Sequence, residues 1–172
     1  FSSGIGMLGI PGGGGLGDSD DGDGASSGPG GGGPPLVTVV DCIITGNKAA
    51  GVFVSGSASG VDCNKNKICD NQETGVTLRS SGDARLAANT ISGNAGCAGV
   101  FIADTKTTGR LDENDISANQ GAGVMVDNGG SGALIGTQVN KIVDNGAEKV
   151  RVTGGEVGST LNVPAGATFV LQ

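Results

Sequence analysis

The chain has no tryptophan, no tyrosine and no histidine, and only four phenylalanines among its 172 residues. Without histidine, the usual neutral-pH general base and the commonest nitrogen ligand for metals are missing. Cations are also scarce. Ten lysines and arginines are spread thinly against seventeen acids, for a net charge of −7. No basic stripe exists to neutralise a phosphate backbone, so nucleic acid is excluded as an expected partner, and the same shortage argues against adhesion to anionic lipid. No apolar run approaches the roughly 18–20 residues that a membrane-spanning helix needs, so the chain is not expected to span a membrane. The four cysteines (Cys42, Cys63, Cys69, Cys97) fit no zinc spacing, and small, partly buried thiols are the expected state, with one disulfide open to an oxidising compartment.

Glycine, by contrast, is abundant, with 36 residues. Residues 1–35 hold a mildly apolar start, "FSSGIGMLGI", and then a tract of Gly, Ser, Asp and Pro. Such a tract cannot bury enough apolar area to offset its chain entropy, so a flexible extension over 1–35 is expected, followed by one folded domain over 36–172. The run "DSDDGDG" suggests a calcium loop, but a calcium loop needs acids at positions 1, 3 and 5, Gly at 6 and Glu at 12. Starting at Asp18 places Gly22 at position 5, and starting at Ser19 places Gly30 at position 12. Neither register works, and no metal or other cofactor is expected. The chain starts with Phe rather than Met, which reads as a fragment or a processed product, and an organellar compartment (a plastid, for instance) or secretion is the expected location.

From residue 36 onward the sequence repeats. An asparagine recurs at 47, 71, 94, 119 and 145, in steps of 24, 23, 25 and 26 residues. Three places before each stands an isoleucine: Ile44, Ile68, Ile91, Ile116 and Ile142. Two places earlier again come Cys42, Asn66, Asn89, Asn114 and Asn140. Downstream lies an apolar pair with one residue between: Val52/Val54, Val76/Leu78, Val100/Ile102, Val124/Val126 and Val150/Val152, the first four pairs each preceded by Gly. Alternation within each short piece means extended strand. Gly and Asn between pieces mean sharp corners, because both tolerate positive φ. Three short strands and three corners in about 24 residues make one turn of a parallel β-solenoid. Five turns and a partial sixth are expected, with "EVGSTLNVPAGATFVLQ" supplying the last, isoleucines in a column, and asparagine side chains passing amide hydrogen bonds from turn to turn.

The repeats "NKICDNQETGVTL", "NTISGNAGCAGVFI" and "NDISANQGAGVMV" resemble those of right-handed parallel β-helix proteins, a group that includes pectate-lyase-like enzymes, mannuronan epimerases, periplasmic copper-processing proteins and the β-helix segment of some F-box proteins. The resemblance covers about residues 37–153. It implies an all-β, right-handed parallel β-helix of about five to six coils with a Gly-rich N-terminal extension. It does not imply one activity, since unrelated activities share the scaffold.

Two surfaces are candidates for function. Lyase-like members of the resembling group use calcium-binding acids with an arginine base, and the matching set here is Asp112, Glu113 and Asp115 near Arg85 and Arg110. Read on its residues alone, that set is an ordinary charged corner, so no catalytic residue is assigned and no enzyme activity is expected. The other surface comes from the strand that follows Gly-Val. Its outward residues are Phe53, Thr77, Phe101, Met125 and Arg151, and parallel stacking places them in one row. An apolar row facing water reads as a contact surface. The leading expectation is therefore a non-catalytic structural or interaction subunit that docks to other subunits of a large, membrane-associated assembly through this row and the N-terminal arm. The alternative is a carbohydrate-active protein, a lyase or binder of an acidic polysaccharide.

Overall fold

A computed structural model describes residues 5–8, 36–56, 60–134, 140–148, 150–153 and 160–162. Among the described residues, seventeen short strands run in chain order around three faces. Strand β1 (Ile5–Leu8) comes first and stands alone. Five three-strand turns follow: β2 (Leu36–Val40), β3 (Ile43–Thr45) and β4 (Val52–Ser55); β5 (Gly60–Asn64), β6 (Lys67–Cys69) and β7 (Val76–Arg79); β8 (Asp83–Ala87), β9 (Thr90–Ser92) and β10 (Ala98–Ala103); β11 (Thr108–Asp112), β12 (Asp115–Ser117) and β13 (Ala122–Asp127); β14 (Ser131–Leu134), β15 (Lys141–Val143) and β16 (Val150–Val152). Strand β17 (Thr160–Asn162) opens a further turn. Every pairing joins a strand to its counterpart one turn away, in parallel. Three sheets result. Sheet A is β1-β4-β7-β10-β13-β16, sheet B is β2-β5-β8-β11-β14-β17, and sheet C is β3-β6-β9-β12-β15. None of the described residues forms a helix long and apolar enough to cross a membrane.

The expected columns are present. Ile44, Ile68, Ile91, Ile116 and Ile142 oppose one another rung by rung in sheet C, and all five are buried. Both asparagine positions form ladders. Asn71 Oδ1 accepts from the backbone N–H and the side-chain Nδ2 of Asn47, at 3.1 and 2.8 Å, and Asn71 Nδ2 donates onward to Asn94 Oδ1 at 2.8 Å. The same link repeats from Asn94 to Asn119 and from Asn119 to Asn145, and in the second ladder from Asn66 through Asn89 and Asn114 to Asn140. Each Nδ2 also reaches a carbonyl of the preceding turn, as Asn114 does to Leu86 O at 2.8 Å. A buried amide with its donors and acceptors all used costs little and joins three successive turns.

The corners differ from the expectation in one respect. Among the described residues, positive φ falls on the residue before each ladder asparagine whatever its type: on glycine at Gly46 (69°) and Gly93 (66°), but also on Lys65, Ala88 and Glu113 at 53–56° and on Asp70, Ala118 and Asp144 at 54–55°. The glycines of Gly-Val are there for a different reason. A Cβ at Gly75 would lie 2.5 Å from Ile91 Cγ2, 2.8 Å from Asn94 Nδ2 and 2.8 Å from the Gly99 carbonyl oxygen. Gly51 and Gly99 meet the equivalent Ile, Asn and Gly atoms of their next turns. The glycine column is thus required by the isoleucine column beside it.

One short strand lies before residue 36. Ile5–Leu8, inside the segment expected to be a loose extension, is the first rung of sheet A, with Ile5 opposite Val52 and Met7 opposite Val54. Its sequence, "GIGML", repeats the glycine and the alternation of "GVFVS". Residues 9–35 join β1 in sheet A to β2 in sheet B; of the later connections between these sheets, the next four use three or four residues and the last, from β16 to β17, uses seven. The rest of residues 1–35, including the acidic run, lies outside the described residues. At the other end, Thr160–Asn162 pairs with β14 as the expected start of a further turn, and the remaining C-terminal positions lie outside the described residues.

Candidate functional site

The row read from the sequence is assembled on the outer face of sheet A. Phe53 opposes Thr77, Thr77 opposes Phe101, Phe101 opposes Met125, and Met125 opposes Arg151. β1 extends the row by Gly6, opposite Phe53. The row is not flat. Thr77 is only 7% exposed, whereas Phe53 is 37% exposed. The small threonine between two phenylalanines two rungs apart, about 10 Å at the rung spacing, forms the floor of a recess of about 270 Å³. Its remaining walls are Glu73, Thr74, Arg79, Gly96 and Cys97. The hydroxyls of Thr74 and Thr77 hydrogen-bond each other on the floor.

The rim residues were not identified from the sequence. They come from the corners that enter and leave sheet A, just before Gly-Val or just after the apolar pair, and that shared offset was the available signal. Arg79 pairs with Asp104 at 3.3 Å. Burial alone would raise the Asp104 carboxyl, but hydrogen bonds from Asn128 and the Ser80 N–H, with the Arg79 charge, hold it below its ordinary value. Cys97, a free and exposed thiol at the mouth of the recess, is pushed up chiefly by desolvation. At the far end of the row, Arg151 forms a salt bridge with Glu148, which holds the Glu148 carboxyl low.

The charged corner is not assembled as one site. Asp112 closes β11 on sheet B and Asp115 opens β12 on sheet C, with exposed Glu113 at the bend between them. Arg85 lies between Asp62 (3.7 Å) and Asp112 (3.5 Å), Arg110 pairs with Asp83 at 3.6 Å, and Lys141 pairs with Asp115 at 3.0 Å. The Lys141 hydrogen bond holds the Asp115 carboxyl below its ordinary value. Asp62 and Asp112 thus share Arg85, while Asp83 and Asp115 pair with Arg110 and Lys141. Oδ1 of Asp62, Asp112 and Asp115 is buried without a hydrogen-bond partner among the described residues. No three His, Cys, Asp or Glu side chains among the described residues are grouped to hold a metal ion. All four thiols are unpaired, with Cys63 and Cys69 buried. Burial, more than the nearby Asp62 charge, pushes Cys63 up to about 12.

With parallel rungs, two asparagine ladders and an isoleucine column on the page, the comparison with known families is direct. The family described as "Right handed beta helix region" matches residues 18–162. The chain belongs to the right-handed parallel β-helix family of pectate-lyase-like solenoids. No curated protein and no solved structure matches it.

Proposed function

We propose that the protein is a carbohydrate-active β-helix that binds a saccharide chain, without cleaving it, in the recess on the outer face of sheet A. The observation that carries this reading is the recess itself, with Phe53 and Phe101 on either side of a hydroxyl floor and Arg79 and Glu73 on the rim. Sugar rings present an apolar face and an equatorial fringe of hydroxyls. Aromatic walls take the first, and Thr77, Thr74, Glu73 and Arg79 supply hydrogen-bonding partners for the second. Arg79, half-exposed and paired with Asp104 at 3.3 Å, is the cation that a uronic-acid carboxylate would share with Asp104, against the repulsion of a net charge of −7. Non-cleavage is supported by the place of Asp112, which shares Arg85 with Asp62, and of Asp115, paired with Lys141, both outside the recess. Retardation in gels containing a uronic-acid polymer, or its neutral counterpart, tests the reading. The protein is expected to be retarded, and the Phe53→Ser/Phe101→Ser double variant to migrate freely. Unchanged retardation of the variant rejects the recess. Chain shortening of the polymer that Asp115→Ala abolishes would restore the lyase reading.

A second reading, docking of a protein subunit on the same row, is favoured by the exposure of Phe53 and by the apolar continuation of the row through Met125. It predicts that the double variant loses a protein partner while saccharide retardation is absent from both forms. Either reading fits an organellar or secreted setting, which fractionation of the tagged chain tests.

A further inference from the structure

The tetrapeptide Val-Asp-Asn-Gly occurs twice in the chain, at residues 126–129 and 143–146, and the fold sets the two copies one residue out of step. In the first copy the left-handed backbone begins at Asn128, with a φ of 48°, and continues through Gly129 at 82°. In the second it falls on Asp144, at 54°. Turning the corner one residue earlier carries the Asn145 side chain to the end of an asparagine ladder. Asn128 stays outside, exposed, in the corner between β13 and β14.

The bonds on the two amides differ accordingly. Asn145 Oδ1 accepts from the Asn119 N–H at 3.1 Å and from Asn119 Nδ2 at 2.9 Å. Asn145 Nδ2 donates to the carbonyls of Ile116 and Val143, at 3.0 and 3.1 Å. The N–H of the adjoining Gly146 donates to the Asn119 carbonyl at 2.7 Å. Among the described residues, the Asn128 side chain is held by one bond, from its Nδ2 to Asp104 Oδ1 at 3.2 Å.

This difference bears on a reaction that Asn-Gly pairs undergo in water. The glycine nitrogen attacks the asparagine Cγ, and the new N–Cγ bond closes a succinimide ring. The Cγ–Nδ2 bond breaks, and ammonia leaves with the proton of the glycine N–H. Water then opens the ring, giving aspartate by attack at Cγ and isoaspartate by attack at the backbone carbonyl. Glycine favours closure because it has no Cβ to obstruct the approach and a freely turning backbone. The asparagine amide must first leave its hydrogen-bond partners, and a group held in a ladder reaches that state only through local opening.

We propose that Asn128 is a site of spontaneous deamidation in the folded protein, and that the ladder protects the identical tetrapeptide at Asn145. The product alters its surroundings. A carboxylate replaces the Nδ2 donor that faces Asp104, so a like charge stands where a hydrogen bond was. Isoaspartate also lengthens the backbone of a corner that is closed by a 2.9 Å bond from the Gly130 N–H to the Asp127 carbonyl. Because Asp104 holds Arg79 at 3.3 Å, the modified residue lies one hydrogen bond and one ion pair from the rim of the recess.

Peptide mapping of the full 172-residue chain tests this. The protein is kept for days at mildly alkaline pH in water enriched in heavy oxygen, both folded and in concentrated guanidinium chloride. Tryptic cleavage after Arg110, Lys141 and Lys149 then puts the two sites on separate peptides, 111–141 and 142–149, and fragmentation assigns the converted asparagine. In the denatured chain both sites are expected to react at matching rates, since the same four residues surround each reacting pair. In the folded protein Asn128 should take up heavy oxygen at least about tenfold faster than Asn145, whose reaction awaits opening of the ladder. Equal rates in the folded protein, a faster Asn145, or an Asn128 that stays intact while the denatured chain reacts would each overturn the inference.

Discussion

A single methyl group separates a tolerated turn from a broken one in this chain. At Gly75 an added Cβ meets an isoleucine methyl, an asparagine amide and a backbone carbonyl of the next turn, all within 2.8 Å. The carbonyl belongs to the sheet ladder and cannot yield. Gly75→Ala is therefore expected to destabilise by about 2–3 kcal/mol, lowering the melting temperature by about 5–10 °C. At Ala118 the direction reverses. Its φ of 55° is a strained position for alanine, and Ala118→Gly should stabilise by about 0.5–1 kcal/mol after the added freedom of the unfolded chain is counted. Chemical denaturation of both variants checks the pair; a harmless alanine at 75 would contradict the packing account of the glycine column. The isoleucine and asparagine positions were legible in the sequence because each recurs with the same chemistry in every turn. The left-handed corner positions were not, because Lys65, Ala88 and Glu113 share a backbone conformation but no side-chain property that marks it.

At the scale of the strand and its corners, short ion pairs and hydrogen bonds tie neighbouring turns together outside the core. Asp104 reaches Ser80 and Arg79 one turn before it and Asn128 one turn after; Lys141 reaches Asp115 across β15 and β12. Both carboxyls are held below their ordinary 3.8. A carboxyl lowered on folding contributes stability that is complete above its unfolded value and lost as pH falls through its folded one. The melting temperature should accordingly decline once the pH drops below about 4. Lys141→Met, which removes the Asp115 share, should make that decline shallower, and superimposable acid limbs would contradict the assignment. The same scale explains why β1 does not stand out in the repeat. "GIGML" has the repeat's pattern, but the long connection to β2 breaks the period that made the later strands recognisable. The rim of the recess escaped for a related reason: Glu73, Thr74 and Cys97 lie at corners and Arg79 at the end of β7, where length and residue type vary from turn to turn.

For the whole molecule, the solenoid sorts its side chains by column, and function follows from what a column presents outward. Sheet B presents acids and arginines paired across its rungs; sheet A presents Phe53 and Phe101 around Thr77. The row itself was legible, since parallel stacking fixes which residues align. The depth of the recess was not, because it depends on a threonine on the rung between two phenylalanines and on the residues that line its rim. The saccharide reading makes one prediction that no other face of the rod shares. In a titration of the isotopically labelled protein with a uronic-acid oligosaccharide, followed by amide chemical shifts, the perturbed signals should fall on β4, β7 and β10 around Thr77 and on the corners carrying Glu73, Arg79 and Cys97. Shifts centred instead on Arg85 and Asp112, or none at saturating oligosaccharide, would contradict it.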